Sequence, residues 1–133
     1  LQGSLMTIKP PQTRADSLFA TAQKTPCDKN FDAAIHANPF DAKIVAAAAS
    51  YYGQKKQVSK AYKIVLDAMK FNDRAPLLWQ QYTILSLQQG LTGQADEGEA
   101  QVRELSSPAD YQAFVTRYQP MRALIEKQRA EFH

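Results

Sequence analysis

Asn38-Pro39-Phe40-Asp41-Ala42-Lys43-Ile44-Val45-Ala46-Ala47-Ala48-Ala49-Ser50-Tyr51-Tyr52-Gly53 decides the fold of this chain. Asn38-Pro39 stops the preceding helix, because a residue before proline is pushed out of the α region. A helix then runs from about Asp41 to Tyr52. Its centre, Ala46 to Ala49, is the best helix former and leaves no bulk, so a neighbouring helix can approach closely. Tyr51 and Tyr52 supply bulk at the end, and Gly53 suits a left-handed C-terminal cap. A second helical stripe follows in Val58, Ala61, Tyr62, Val65, Leu66, Ala68 and Met69. After Asn72-Asp73-Arg74 the cycle restarts with Pro76-Leu77-Leu78-Trp79, Tyr82, Gly90 and Ala95, about 34 residues on. A two-helix unit of that length cannot bury its own apolar face, so neighbours stack.

Working outward, residues 1–12 carry Pro10-Pro11 and read as a tail. A helix is expected from about Thr13 to Lys24, ended by Thr25-Pro26, and another with Phe31, Ala34 and Ile35 on its apolar side. On the C-terminal side, Pro76 fits the first turn of a helix. Leu78, Trp79, Tyr82, Leu85 and Ser86 line one of its faces, and Leu77, Ile84 and Leu87 another, so neighbours should sandwich it. Gly90 ends it. Gly93 and Gly98 weaken the start of the next helix, placed at about Gln94 to Leu105. Ser107-Pro108-Ala109-Asp110 is a helix start with a serine cap. Tyr111, Phe114, Val115 and Tyr118 continue the apolar stripe, and Pro120 kinks this helix or starts another. Met121, Leu124 and Ile125 give the last segment an apolar side, and Glu126 to His133 is a polar end. No strand alternation competes. The expected fold is all-α, about six to seven helices in antiparallel pairs.

The chain has 133 residues, 44% of them hydrophobic, which allows one domain with a continuous core. No stretch approaches the roughly 18–20 apolar residues of a membrane span. Leu1 is not an initiator, which predicts a fragment of a larger, bacterial protein. Leu1 to Ser4 read as a protease-site scar left by expression. A secretory or lipoprotein signal in the parent would place the domain in the cell envelope or periplasm; the compartment stays open. Up to Leu66 there are nine Lys/Arg against four Asp/Glu, and from Asp67 seven against nine. The basic residues cluster only at Lys55, Lys56, Lys60 and Lys63, all of them lysine, whereas a nucleic-acid module usually shows a denser basic face with aromatics or arginines interleaved. A single cysteine, Cys27, excludes an internal disulfide and a cysteine-rich zinc site, and reads as a small buried residue.

These residues resemble a tetratricopeptide repeat, a 34-residue pair of helices. The family's first-helix preference for a bulky residue, then two small-to-medium ones, then Tyr matches Val45, Ala48, Ala49 and Tyr52. Its second-helix preference for Ala, a bulky residue and Ala matches Ala61, Val65 and Ala68, with Asp73 where proline is preferred. One period later Trp79, Tyr82 and Ala95 keep the frame, while Thr83, Glu99 and Val102 depart from it. One period earlier, Phe31, Ala34 and Pro39 fit. The resemblance implies antiparallel pairs stacked in a right-handed superhelix across 13–133. The best repeat is 42–75, the divergent one 76–107, and capping helices occupy 108–132.

The same resemblance implies a concave groove lined by Lys43, Ala46, Ser50, Gly53 and Gln54, then Leu77, Gln80, Ile84, Leu87 and Gln88. That groove would be neutral, with Lys43 at one edge and an apolar patch from Leu77, Ile84 and Leu87. Plain packing of those three against the last helices or another subunit remains open. Family members that grip a C-terminal carboxylate carry Lys and Asn where this chain has Ala46 and Ser50, so it should not be such a clamp.

Chemistry has little support. His36 lies four residues after Asp32, a spacing that can hold a metal or orient a base, but a surface pair explains it more simply. Nothing orients Cys27 toward His36. Asp96, Glu97 and Glu99 near a helix start are explained by the helix dipole. Gly90, Gly93 and Gly98 lack the context of a phosphate loop. The expected function is non-catalytic binding of another protein or peptide, with no cofactor and no metal. The alternatives are a self-associating domain forming a homodimer and, less favoured, a lysine-mediated nucleic-acid or anionic-surface binder.

Overall fold

The computed structural model describes residues 11–131, with side chains from 14 onward. Leu1 to Pro10, Phe132 and His133 therefore lie outside the described residues. Among the described residues seven helices follow one another: α1 (Pro11–Lys24), α2 (Asp28–Ala37), α3 (Ala42–Gln54), α4 (Val58–Met69), α5 (Pro76–Gln88), α6 (Thr92–Leu105) and α7 (Pro108–Glu131). Among the described residues there is no strand, so the all-α expectation holds. Three helix starts have a clear local cause. Asp41 caps α3, its Oδ1 accepting from the amides of Lys43 at 3.0 Å and Ile44 at 3.2 Å. Pro76 opens α5 at a position where no intrahelical N–H is needed. Ser107 Oγ accepts from the Asp110 amide at 3.1 Å and starts α7.

Two expectations about helix ends change. Gly53 is not a cap: α3 runs on to Gln54, and Lys56 takes the left-handed conformation at φ 63°. Gly53 instead faces Leu85 of α5, where a Cβ would lie 3.5 Å from the leucine methyl. The left-handed glycine is Gly90, at φ 81° just after α5. Pro120 neither ends α7 nor starts another helix; it sits inside one continuous helix. Having no N–H, it leaves the Thr116 carbonyl without its intrahelical donor.

The helices pack as neighbours in sequence, α1 on α2 through to α6 on α7, and α5 also touches α3 and α7. α5 is therefore covered on several sides, and Leu85, Ser86 and Leu87 are buried in succession. The main core joins Phe19, Phe31, Ile44, Val45, Tyr52, Val65, Leu78 and Leu85 with alanines 15, 22, 34, 48, 49, 61 and 68, all buried. Alanines on α3 and α4 let those helices come close, and aromatic rings fill the remaining space. A smaller core joins Leu87, Ala95, Val102, Phe114 and Tyr118 and anchors α7. Phe114 and Tyr118 stack at 5.2 Å.

Polar ties cross-link the helices. Asp32 on α2 accepts from the buried Tyr52 hydroxyl on α3 and pairs with Lys60 of α4 at 2.9 Å. Lys60 also lies 4.3 Å from the centre of the Tyr52 ring. Burial opposes the Asp32 charge, but the hydrogen bonds from Tyr52 and Lys60 and the lysine's charge outweigh it and hold this carboxyl below its ordinary 3.8. The resulting stabilisation is full above the unfolded carboxyl's pKa and is lost as pH falls through the lower folded value. Urea melts should show wild type above Asp32→Asn at neutral pH. The gap should close below about pH 4; a gap unchanged by acid would contradict the tie.

Candidate functional site

A concavity with both polar and apolar lining lies between alternate helices. It encloses about 250 Å³ and is bounded by Ala49, Ser50, Gly53 and Gln54 of α3 and Gln81, Ile84, Leu85 and Gln88 of α5. Phe114, Arg117, Tyr118 and Met121 of α7 complete it. The floor is apolar, with Ala49, Leu85, Phe114 and Tyr118 buried; Ser50, Gln81 and Ile84 are half-buried, and Gln54, Gln88 and Arg117 are exposed at the mouth. Small residues on α3 make the space, since Ala49, Ser50 and Gly53 fill little volume at that face. A second cavity of about 460 Å³ continues from Gln88 to Gln89, Ile125, Gln128 and Arg129. The two share Gln88, so one groove follows α5 and α7.

Of the ten residues expected on the concave face, the structure brings five into this cavity: Ser50, Gly53, Gln54, Ile84 and Gln88. Gln80 lies at its edge, its side-chain oxygen accepting from Arg117 Nη2 at 3.3 Å. Lys43 is exposed outside it, and Ala46 is buried. The apolar patch divides. Leu77 is 44% exposed and lines no part of the cavity, while Leu87 is fully buried in the smaller core. Leu87 is a packing residue because α6 and α7 cover the face of α5 that carries it.

Sequence reasoning did not anticipate the α7 side of the groove. Arg117 and Arg129 belong to a segment read as a cap, yet both line the concavity. The groove is thus not neutral. The signal in the sequence was the series Phe114, Arg117, Met121, Ile125 and Gln128, spaced three and four apart on one helix face.

The acidic cluster has a different role from the one expected. Arg122, with only 19% of its side chain exposed, pairs with Asp96 at 2.5 Å, Glu126 at 2.8 Å and Glu99 at 3.8 Å. The hydrogen bonds that Arg122 donates to Glu126 and Asp96 push the guanidinium pKa further up. The pairs with Asp96 and Glu99 fasten α7 to α6. Asp32 and His36 do not form the expected surface pair, since Asp32 is engaged by Tyr52 and Lys60.

The lysine cluster is divided among local partners. Lys60 pairs with Asp32, Lys63 with Asp67 at 3.3 Å, and Lys55 lies over the Tyr51 ring at 5.9 Å. Cys27 is half-buried at the N-cap of α2. Among the described residues, no group of three or more His, Cys, Asp or Glu is placed to hold a metal ion. No described helix is long and apolar enough to cross a membrane. Compared with family models and with curated proteins, the chain matches none.

Proposed function

We propose that this chain is a tetratricopeptide-like interaction module that binds an extended segment of another protein in the groove between α3, α5 and α7. The observation that carries the reading is that alternate helices line one concavity. That arrangement is expected when antiparallel pairs stack into a superhelix, because first helices then face inward and second helices outward. Contacts of α3 with α5 and of α5 with α7, beside those between consecutive helices, fit the same pattern. Connections of two to six residues favour antiparallel neighbours. An apolar floor with amides at the rim suits an extended chain, whose side chains enter the floor while its backbone meets the glutamines.

The probe is a displayed library of random octapeptides selected on the folded chain. Selected peptides should bind wild type and lose at least tenfold on Ser50→Arg, whose long side chain fills the cavity, while far-UV circular dichroism stays unchanged. Equal binding to Ser50→Arg would move the site elsewhere.

A second reading has its own observation. Phe40 and Phe71 are exposed at 44% and 73% and pack on each other at 4.6 Å. An apolar pair so placed suits a homodimer contact. Light scattering discriminates: under the groove reading the chain stays monomeric at high concentration, and Phe71→Asp changes nothing in its mass.

A further inference from the structure

We propose that the groove's occupant is an acidic segment of another protein, carrying two carboxylates about five residues apart around an apolar centre. This rests on the groove reading above and adds the chemistry of the partner. Arg117 and Arg129 are the only charged side chains among the described residues lining the two joined cavities, and none of those residues is acidic. Both arginines are exposed. Arg117 is oriented by its hydrogen bond to Gln80, and the Arg129 guanidinium lies over Gly90, 2.1 Å from where a Cβ there would stand. Gly90 is therefore what lets the arginine cross the turn at the end of α5. In contrast to Arg122, which three carboxylates surround, both guanidiniums face a cavity free of counter-charge. A guanidinium fork fits a carboxylate in two parallel hydrogen bonds.

The spacing sets the register. Twelve helical residues separate the arginines, about 18 Å at 1.5 Å per residue. An extended chain covers that distance in about five or six residues at roughly 3.3 Å each. Between the two cations lie Met121 and Ile125, half-buried, with Ile84 opposite. The centre of the segment is accordingly apolar. A nucleic-acid strand fits less well. It carries a phosphate every few ångströms, so two cations so far apart would leave most of them unmatched. The groove's aromatic rings, Phe114 and Tyr118, are also buried and offer no face for base stacking.

The test reads the composition of octapeptides selected from the random library on the full chain. Enriched sequences should carry two Asp or Glu four to six positions apart flanking an apolar residue. Binding should fall at least tenfold on Arg117→Glu and again on Arg129→Glu, and weaken as salt rises. Peptides with lysine in place of the first acid should bind Arg117→Glu better than wild type, a rescue that a misfolded variant cannot give. If the enriched peptides are neutral or basic and still lose binding on Ser50→Arg, the acidic assignment is overturned while the groove reading stands. If selected peptides ignore Ser50→Arg, or none is enriched, both fall. If an oligothymidylate or anionic vesicles bind with the same arginine dependence and the peptides do not, the protein-segment assignment is overturned.

Discussion

A Gly98→Val chain is expected to melt roughly 10 °C below wild type, a loss of about 3 kcal/mol at the upper end of overpacking penalties. Gly98 lies on α6 at its closest approach to α5. A Cβ there would stand 2.2 Å from Thr83 Oγ1, 3.0 Å from Tyr82 Cδ1 and 3.2 Å from the Thr83 Cα. The nearest atom cannot swing away cheaply. Thr83 is fully buried, its rotamer is restricted by β-branching, and its hydroxyl donates to the Trp79 carbonyl at 2.7 Å. The backbone atom cannot move without separating the helices. Gly98→Ala should also destabilise, although alanine is favoured over glycine by about 1 kcal/mol inside a helix. In a Thr83→Ala background the clash with the hydroxyl is gone, and Gly98→Ala should become neutral or stabilising. Thermal melts of the four chains measure this coupling directly; additive effects would contradict the close approach.

Phe114→Ala is expected to cost about 3–5 kcal/mol, the range for emptying a buried aromatic site. The loss should be concentrated in α7. That helix has 24 residues, yet Phe114 and Tyr118 are its only fully buried ones. Its remaining hold includes the Arg122 network on Asp96 and Glu99, the hydrogen bonds that Tyr111 and Gln119 donate to Glu99, and the Arg117–Gln80 bond. Hydrogen exchange should therefore accelerate across 108–131 before it changes in α3 or α4, whose core is separate. Because Phe114 also floors the cavity, peptide binding should vanish with α7 protection. Uniform loss of protection along the chain would mean the two cores unfold as one.

The elements legible in the sequence are those with local causes. Asp41, Pro76 and Ser107 mark helix starts through hydrogen bonds and dihedral limits that act within three residues. The alanine run and the period of Ala61, Val65 and Ala68 mark the main core, because burial repeats with the helix turn. Misread positions depend on helices far apart in sequence. Gly53 and Gly98 look like breakers locally, but Gly53 faces Leu85 at ordinary contact distance inside α3, and Gly98 sits where α5 presses close. Leu87 reads as groove on α5 alone and becomes core once α6 and α7 cover it. Thr83, which departs from the residue the tetratricopeptide resemblance favours there, lies opposite Gly98. The groove itself was half legible. Its α3 and α5 residues follow from helix faces, whereas Arg117 and Arg129 enter through the docking of α7, a contact spanning 37 residues from Gln80 to Arg117.

The most direct test of the groove is a methyl-resolved NMR titration of the chain with an octapeptide selected on it, reading alanine, isoleucine, leucine and methionine signals. The account predicts shifts centred on Ala49, Ile84 and Met121, with Leu77 and Val65 unmoved. Shifts centred on Leu77, with Ala49, Ile84 and Met121 unchanged, would contradict it.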